Sequence, residues 1–254
     1  MKLTIKPILS IPQISKGDDL FEIICHALNT SRISLQDNDI IVLTQKIISK
    51  AEGRFIELRS VHPSSYAISQ ARICSKDPRL VELIIQESNA ILRIKPGTII
   101  VEHRLGFICA NGGIDHSNVT LGNEAEETVL LLPENPSLSA KLLRQKLIKK
   151  FGVNLAIIII DSHGRPWRQG ITGISIGFSG IPGLVDMRGK PDMFGGILKI
   201  TQIAAVDELA AAASLVLGES SEGRPAVHIR GFPYDLREGN FQELIRPKSQ
   251  DLFR

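Results

Sequence analysis

The sequence predicts an α/β protein in which mixed sheets are flanked by helices. Its clearest strand is the apolar run Leu155–Ile160, in which four of six residues are isoleucine. β-Branched side chains favour strands, and an unbroken apolar run is typical of a strand buried on both faces. Segments with helical spacing of apolar residues alternate with such runs. The segment 169–196 holds many glycines and predicts a smaller subdomain, or a long loop region over a site.

The bulk composition indicates a globular protein. The chain has 254 residues, an apolar fraction of 43% and a net charge of +3. These values exclude wholesale disorder and give no reason to expect a nucleic-acid or membrane-surface partner. No apolar stretch approaches ~18 residues, so we expect no membrane span. Three cysteines without a CxxC pair are typical of reduced thiols in a cytoplasmic protein.

The first half of the chain contains strands separated by amphipathic helices. Asp18 or Asp19 can cap a helix that reaches residue 30, and Pro78 divides a long helical segment at 63–89 into two. Strands are predicted at 3–9, 39–43, 90–94, 98–102 and 106–110.

The second half continues the alternation. A basic amphipathic helix covers 137–151, and Leu155–Ile160 forms a strand that stops at Asp161. Thr201 caps an alanine-rich helix that ends at Gly218, and a short strand follows at 226–230. We predict one domain over residues 1–240, with 169–200 as a possible smaller subdomain or lid, and a polar, peripheral tail at 241–254.

Three acids each follow an apolar element and stand beside small residues: Asp115, Asp161 and Glu219. Carboxylate oxygens suit Mg²⁺, which also binds phosphate oxygens. Each place also has a purely structural interpretation. The residues before Asp115 include a hairpin signal, Asp161 can belong to a polar exit turn, and Glu219 to a helix-to-strand connection. That the three acids meet in space is a hypothesis.

Cationic and small polar residues accompany the acids. Thr44, Gln45, Lys46 and Lys50 follow the strand at 39–43, where lysines can neutralise phosphate, although solvated surface charges have the same appearance. Arg165 stands beside the exit at Asp161 and could offset developing charge. A serine- and glycine-rich turn that suits phosphate covers Leu217, Gly218, Glu219, Ser220, Ser221, Glu222, Gly223 and Arg224.

Several stretches together resemble the coenzyme F420:L-glutamate ligase family. They occur in family order and are IPQI at 11–14, QKIISKAEGR at 45–54, GFICANGGIDHSN at 106–118, DSHGRPWRQG at 161–170, KPDMFGG at 190–196, DELA at 207–210 and LGESSEGRP at 217–225. Gln45 replaces a frequent serine of the family, and Ser162 replaces a common threonine.

The resemblance implies a γ-glutamyl ligase fold of its own type and a homodimer. It also implies a GTP-dependent reaction in which the lactate carboxylate of F420-0 becomes an acyl phosphate, which the amine of L-glutamate attacks. A second glutamate then joins through the γ-carboxylate of the first. Mg²⁺ or Mn²⁺ at two sites, together with K⁺, is the implied cofactor set.

The resemblance also assigns roles to individual residues. Asp115 and Asp161 match ligands of the first metal, and Ser162 and Glu219 match ligands of the second. Asp115, Asp161, Lys50 and Arg165 form the predicted catalytic set. The nucleotide-binding set is Ile11, Pro12, Gln13, Ile14, Thr44, Gln45, Lys46, Lys50, Asn118 and residues 217–224.

Three alternatives remain open at this stage. The enzyme could join an amino acid to another carboxylate acceptor, or it could be a phosphohydrolase that uses the same acids on water. A protein that binds nucleotide without turnover is the third. The missing GxxxxGK[ST] loop and the missing GxGxxG after a strand argue against a P-loop enzyme and a dinucleotide-binding fold.

Overall fold

A five-stranded mixed sheet organises the chain. The computed structural model describes residues 2–119 and 127–252. Its strands are β1 (Thr4–Pro7), β2 (Ile40–Thr44), β3 (Phe55–Glu57), β4 (Ser88–Lys95), β5 (Thr98–His103), β6 (Ile108–Ala110), β7 (Thr128–Leu130), β8 (Ala156–Arg165), β9 (Arg168–Ser179), β10 (Val185–Asp186), β11 (Gln202–Ile203) and β12 (Ala226–Arg230). The central sheet has the order β1-β12-β2-β8-β9, and its β2–β8 pair is parallel. The α/β class predicted from the sequence is confirmed.

Helices cover both faces of this sheet. They are α1 (Leu20–Thr30), α2 (Gln45–Glu52), α3 (Ser65–Cys74), α4 (Pro78–Gln86), α5 (Pro136–Phe151) and α6 (Ala205–Leu217). The predicted cap of α1 is confirmed, because Asp19 accepts a hydrogen bond from the backbone N–H of Phe21. The predicted division of the segment 63–89 is also confirmed, because Pro78 is the first residue of α4. Helix α2 was not predicted. It follows β2 without a connecting loop, so Gln45 and Lys46 lie in its first turn and Lys50 lies in its last turn.

Two hydrophobic clusters form the core, one on each face of the central sheet. Ile157 and Ile159 belong to the cluster that includes residues of α1, α2 and α5, whereas Ile158 and Ile160 belong to the cluster with α6. Alternate side chains of a strand point to opposite faces, so β8 contributes to both clusters. This double burial explains why its sequence is continuously apolar.

The hairpin formed by β8 and β9 differs from the sequence prediction. Strand β8 does not stop at Asp161 but continues to Arg165, because residues 161–165 pair with β9. Residues 168–179 therefore belong to the central sheet, and a smaller subdomain or lid in the rest of 169–200 stays a prediction. The glycines allow close packing: a Cβ on Gly173 would lie 2.6 Å from the carbonyl oxygen of Ala210 in α6.

Strand β9 contains one extra residue, Ile176. The register passes from Ile159↔Gly177 to Ile160↔Ser175, so Ile176 has no partner in β8. On the hairpin side of this bulge, Ser175 donates its backbone N–H to Asp207 of α6 at 2.9 Å. On the other side, Gly177 lies against α5, where an added Cβ would meet backbone atoms at 2.6 Å.

One predicted helix boundary near the C-terminus is wrong. Helix α6 begins at residue 205, because Gln202 and Ile203 pair with β10 as β11; Thr201 therefore does not cap the helix. Gly218 does end it, at φ 79°. The segment after β12 is only partly peripheral, since Phe241, Leu244 and Ile245 pack against the core.

A buried ion cluster ties α4 to its neighbours. Glu87 accepts hydrogen bonds from Arg54 at 3.1 Å and from Arg104 at 2.9 Å. Burial alone would raise the pKa of Glu87, but the nearby His103, Arg104 and Arg54 lower this pKa to about 2. The carboxylate is thus charged throughout the neutral and mildly acidic range.

Candidate active site

The sheet register brings distant parts of the sequence to one edge. Pro7 pairs with Val227, Val227 with Val42, and Val42 with Ile158. The end of β1, the start of β12, the end of β2 and Ile160 of β8 therefore lie at the same edge of the sheet. The segments next to these positions also lie at this edge: 8–14, 44–46, 161–162 and 217–225. Ligands of α/β proteins commonly bind at such strand ends.

Asp115 anchors the first half of the site. It forms an isolated bridge with Leu130, and its Oδ2 accepts a hydrogen bond from Gln45 Nε2 at 2.5 Å and an ion-pair contact from Lys46 Nζ. Both partners lie in the first turn of α2, whose buried Ser49 orients Gln45 by donating to its Oε1 at 2.8 Å. The helix that the sequence did not predict thus positions two of the predicted residues on one acid.

Asp161 lies near enough to Asp115 for its charge to affect the pKa of Asp115. Burial raises the pKa of Asp115; Lys46 and Gln45 oppose this, and the charge of Asp161 adds to it. The charge of Asp161 also affects Cys109. Burial is the main cause, and Asp161 the second, of the rise in the pKa of this thiol to about 12. This thiol is therefore protonated at neutral pH and is no nucleophile.

Lys50 is the most enclosed cation of the predicted set. It is 8% exposed. Burial lowers the pKa of Lys50, the nearby Lys46 lowers it further, and Asp115 opposes both effects. An anionic ligand beside this lysine would stabilise its charged form and so counteract the lowering of its pKa.

Ser162 and Glu219 form the second half of the site. Ser162 Oγ lies 2.8 and 2.9 Å from the two carboxylate oxygens of Glu219. Asp161 and Ser162 are consecutive on β8, so their side chains point to opposite faces of the sheet. Asn118 connects the two halves by donating to the carbonyl oxygen of Ser220 at 3.2 Å.

Other predicted residues remain apart from these acids. Arg165 lies at the hairpin tip, about 13 Å along the strand from Asp161, and donates to the carbonyl oxygen of Gln169 at 3.2 Å. Arg224 turns back to the carbonyl oxygen of Val216 at 3.5 Å. Ile14 is buried in the core, whereas Gln13 is exposed. The roles of these residues stay predictions.

Sequence reasoning missed one close neighbour of the acids, His163. Its Nε2 lies 2.9 Å from Asp161 Oδ2. The signal was present, because residues two apart on an extended strand share a face. It was overlooked because the strand was expected to end at Asp161.

Comparison with known proteins assigns the family. The model of the F420-0:Gamma-glutamyl ligase family matches residues 8–231. The chain belongs to this family. It is 43% identical to coenzyme F420:L-glutamate ligase of Methanothermobacter thermautotrophicus over 256 residues, covering 100% of both chains. The enzyme of the same name from Methanopyrus kandleri is 42% identical, with 99% of this chain and 98% of the relative covered. The one from Archaeoglobus fulgidus is 36% identical, with 100% and 97% covered.

Within this ligase family member, the donor set fits hard divalent cations. Asp115, Asp161, Ser162 and Glu219 offer oxygen atoms only. Burial is the main cause of the raised pKa of Asp115 and the charge of Asp161 adds to it, so a divalent ion between these acids would favour their charged forms. Among the described residues, no group of three His, Cys, Asp or Glu side chains is preformed as a metal site. Mg²⁺ commonly completes its coordination with phosphate oxygens and water, so a complete protein cage is not required.

The described part of the chain contains no helix long and apolar enough to cross a membrane. The three cysteines are free and buried.

Proposed function

We propose that this protein is a GTP-dependent ligase that joins L-glutamate to the lactate carboxylate of F420-0 and then adds further γ-linked glutamate. Family membership supports the ligase activity. The observation that carries the proposal is the meeting of Asp115 with Gln45 and Lys46 at the edge where Asp161, Ser162 and Glu219 also lie.

The proposed chemistry has two steps. A lactate carboxylate oxygen attacks the γ-phosphorus of GTP, which gives an acyl phosphate and GDP. The amine of glutamate then attacks the acyl carbon, an amide bond forms, and inorganic phosphate leaves with the proton lost by the amine. The phosphate bond of GTP thereby drives an amide synthesis that would be unfavourable in water.

The protein's part in these steps is to position charge. Mg²⁺ or Mn²⁺ at two sites would neutralise the phosphates and align the attacking and leaving oxygens. Asp115 and Asp161 would hold one ion, and Ser162 with Glu219 the other. Lys50, enclosed and with a lowered pKa, would balance the charge of the phosphates, and Arg165 would approach the transferred group from the hairpin. K⁺ is proposed as an additional activating ion.

The proposed nucleotide contacts surround the same edge. Asn118 and the backbone of the turn at 217–224 would approach the phosphates, since that turn is exposed and begins where α6 ends. Residues 11–14 and 44–46 would complete the site for the rest of GTP.

A homodimer and a cytoplasmic location are proposed with the activity. Large apolar side chains are exposed on the β8–β9 hairpin, on the segment before β11 and on α6, and a second copy of the chain would cover them. They are Trp167 at 88%, Met193 at 94%, Phe194 at 94%, Ile200 at 87% and Leu215 at 87% exposure.

The decisive experiment incubates the purified protein with F420-0, GTP, Mn²⁺ and L-glutamate and measures glutamyl products by mass spectrometry. The proposal expects glutamate addition and GDP release that both require F420-0. Phosphate release from GTP without F420-0 or glutamate would indicate a phosphohydrolase instead. Tight GTP binding without turnover would indicate a binding protein, and turnover with another carboxylate alone would indicate a different acceptor.

A further inference from the structure

His163 is aimed at Asp161 by the strand that carries both residues. The side chain of His163 is 8% exposed, and that of Asp161 is 13% exposed. Nε2 of the ring lies 2.9 Å from Asp161 Oδ2, whereas Nδ1 is buried without a hydrogen-bond partner among the described residues. Within that part of the chain, the contact with Asp161 is therefore the hydrogen bond that sets the direction of the ring.

Aromatic side chains pack against the imidazole ring of His163. Phe107 lies 5.3 Å from the ring of His163 with a tilt of 53°, and it stacks on His103 at 5.0 Å with an angle of 3°. Phe241, from the segment that sequence reasoning treated as a peripheral tail, meets Phe107 edge-on at 6.2 Å. Close packing on this scale restricts rotation of the imidazole, because interiors leave little free volume.

A fixed imidazole restricts the carboxylate in turn. The terminal torsion of an aspartate is broad, so an isolated carboxylate samples many orientations. A hydrogen bond to Oδ2 selects one of them and leaves the remaining lone pairs for another ligand. Both the neutral Nε2–H form and the charged form of the ring donate from Nε2, so this restraint is independent of the ring's charge.

We infer that His163 is a positioning residue that holds Asp161 in the orientation in which it binds a divalent cation. This inference rests on the proposed function, since it takes Asp161 to be a metal ligand. His163 acts through Asp161 and does not touch the substrate. Partners that hydrogen-bond a ligating carboxylate typically account for 10–100-fold of metal affinity.

The test measures Mn²⁺ binding to the full-length protein in the presence of GDP, by calorimetry and by the electron paramagnetic resonance signal of free Mn²⁺. His163→Phe keeps a ring against Phe107 but removes the donor, and His163→Leu repeats the removal with a smaller side chain. His163→Gln restores an N–H donor. His103→Gln is the matched control, because His103 also packs on Phe107 but accepts its hydrogen bond from the backbone of Leu105.

We expect His163→Phe and His163→Leu to raise the Kd for Mn²⁺ by about 10-fold or more. His163→Gln should stay within about threefold of the wild type, since the donor is retained. His103→Gln should lower the melting temperature without changing the Kd, which separates positioning from stability. The Mn²⁺ concentration for half-maximal activity should rise in the donor-free variants, while kcat at saturating Mn²⁺ changes less.

A folded His163→Phe or His163→Leu protein with wild-type Mn²⁺ affinity would overturn the inference and leave the proposed ligase activity untouched. Failure of the wild type to bind Mn²⁺ would overturn the inference together with the metal part of the proposed function.

Discussion

Replacing Asp161 by asparagine separates the contribution of this side chain to stability from its contribution to chemistry. An amide oxygen can still accept the hydrogen bond from His163, so the fold keeps that contact. A hydrogen bond to a charged acceptor contributes about 1.5–3 kcal/mol and a neutral one about 0.5–1.5 kcal/mol, so the loss is about 1 kcal/mol. Burial is the main reason that the pKa of Asp115 is raised and the charge of Asp161 adds to it, so removing that charge offsets part of this loss. We expect the melting temperature to change by less than about 4 °C.

The same substitution should abolish most of the metal-dependent turnover. A neutral amide is a much weaker ligand for a hard cation, and it cannot compensate charge on phosphate oxygens. Losing one preorganised electrostatic contact in an active site costs about 10²–10³ in kcat, or about 2.7–4 kcal/mol. The loss in activity is thus expected to exceed the loss in stability at least twofold in free energy.

The assay follows glutamate addition to F420-0 by mass spectrometry over a range of Mn²⁺ concentrations, and thermal unfolding is measured on the same samples. Asp186→Asn is the matched control, because Asp186 is an exposed acid paired with Arg188 at 2.6 Å outside the proposed site. Turnover by Asp161→Asn within threefold of the control would refute a role for Asp161 in the chemistry.

Three further predictions concern other contacts. Because folding lowers the pKa of Glu87 from 4.5 to about 2, the stability that this group contributes is complete above pH 4.5 and lost towards pH 2. In urea unfolding the wild type should therefore lose about 3 kcal/mol more over that window than Glu87→Gln, since other carboxylates with a lowered pKa, such as Glu243, titrate in both proteins. Gly173→Ala should lower stability by about 1–3 kcal/mol, since its Cβ would collide with α6, whereas Gly164→Ala, with open space around it, should be near neutral in calorimetry. Ser162→Ala should raise the Mn²⁺ concentration for half-maximal activity, because it removes the hydroxyl that bonds Glu219, and Ser162→Thr should restore the wild-type value. The same half-maximal Mn²⁺ concentration in all three proteins would contradict a role of Ser162 as a metal ligand.

Much of the fold could be predicted because the local signals agreed with the tertiary structure. The isoleucine run of β8 is buried on both faces, and Asp19 and Pro78 begin helices where their chemistry requires it. The segment around Asp161 misled because a polar residue after an apolar run commonly ends a strand. Here β9 pairs with residues 161–165 and extends the strand. The partner strand, β9, was difficult to recognise from the sequence because it contains several glycines, which are uncommon in strands.

The residues of the candidate site could be proposed from the sequence, and their roles stay predictions, but the contacts between them could not be predicted. Asp115, Asp161 and Glu219 stood out because each follows an apolar element. Their neighbours did not, because the bond from Gln45 to Asp115 spans 70 residues and the bond from Ser162 to Glu219 spans 57. Such contacts follow from strand order, and a single sequence does not contain strand order.

The unpaired Ile176 has a consequence for how the protein can evolve. The register of residues 171–175 of β9 against β8 is shifted by one residue relative to that of residues 177–179. Gly173 and Ser175 therefore face α6, whereas Gly177 faces α5. Deleting this single residue would move the side chains of residues 171–175 to the opposite faces of the sheet, away from their present contacts with α6, although no charged side chain is removed. Because Ile176 is itself buried in the core, relatives of this chain are expected to accept other apolar residues at position 176 more readily than a change of length there.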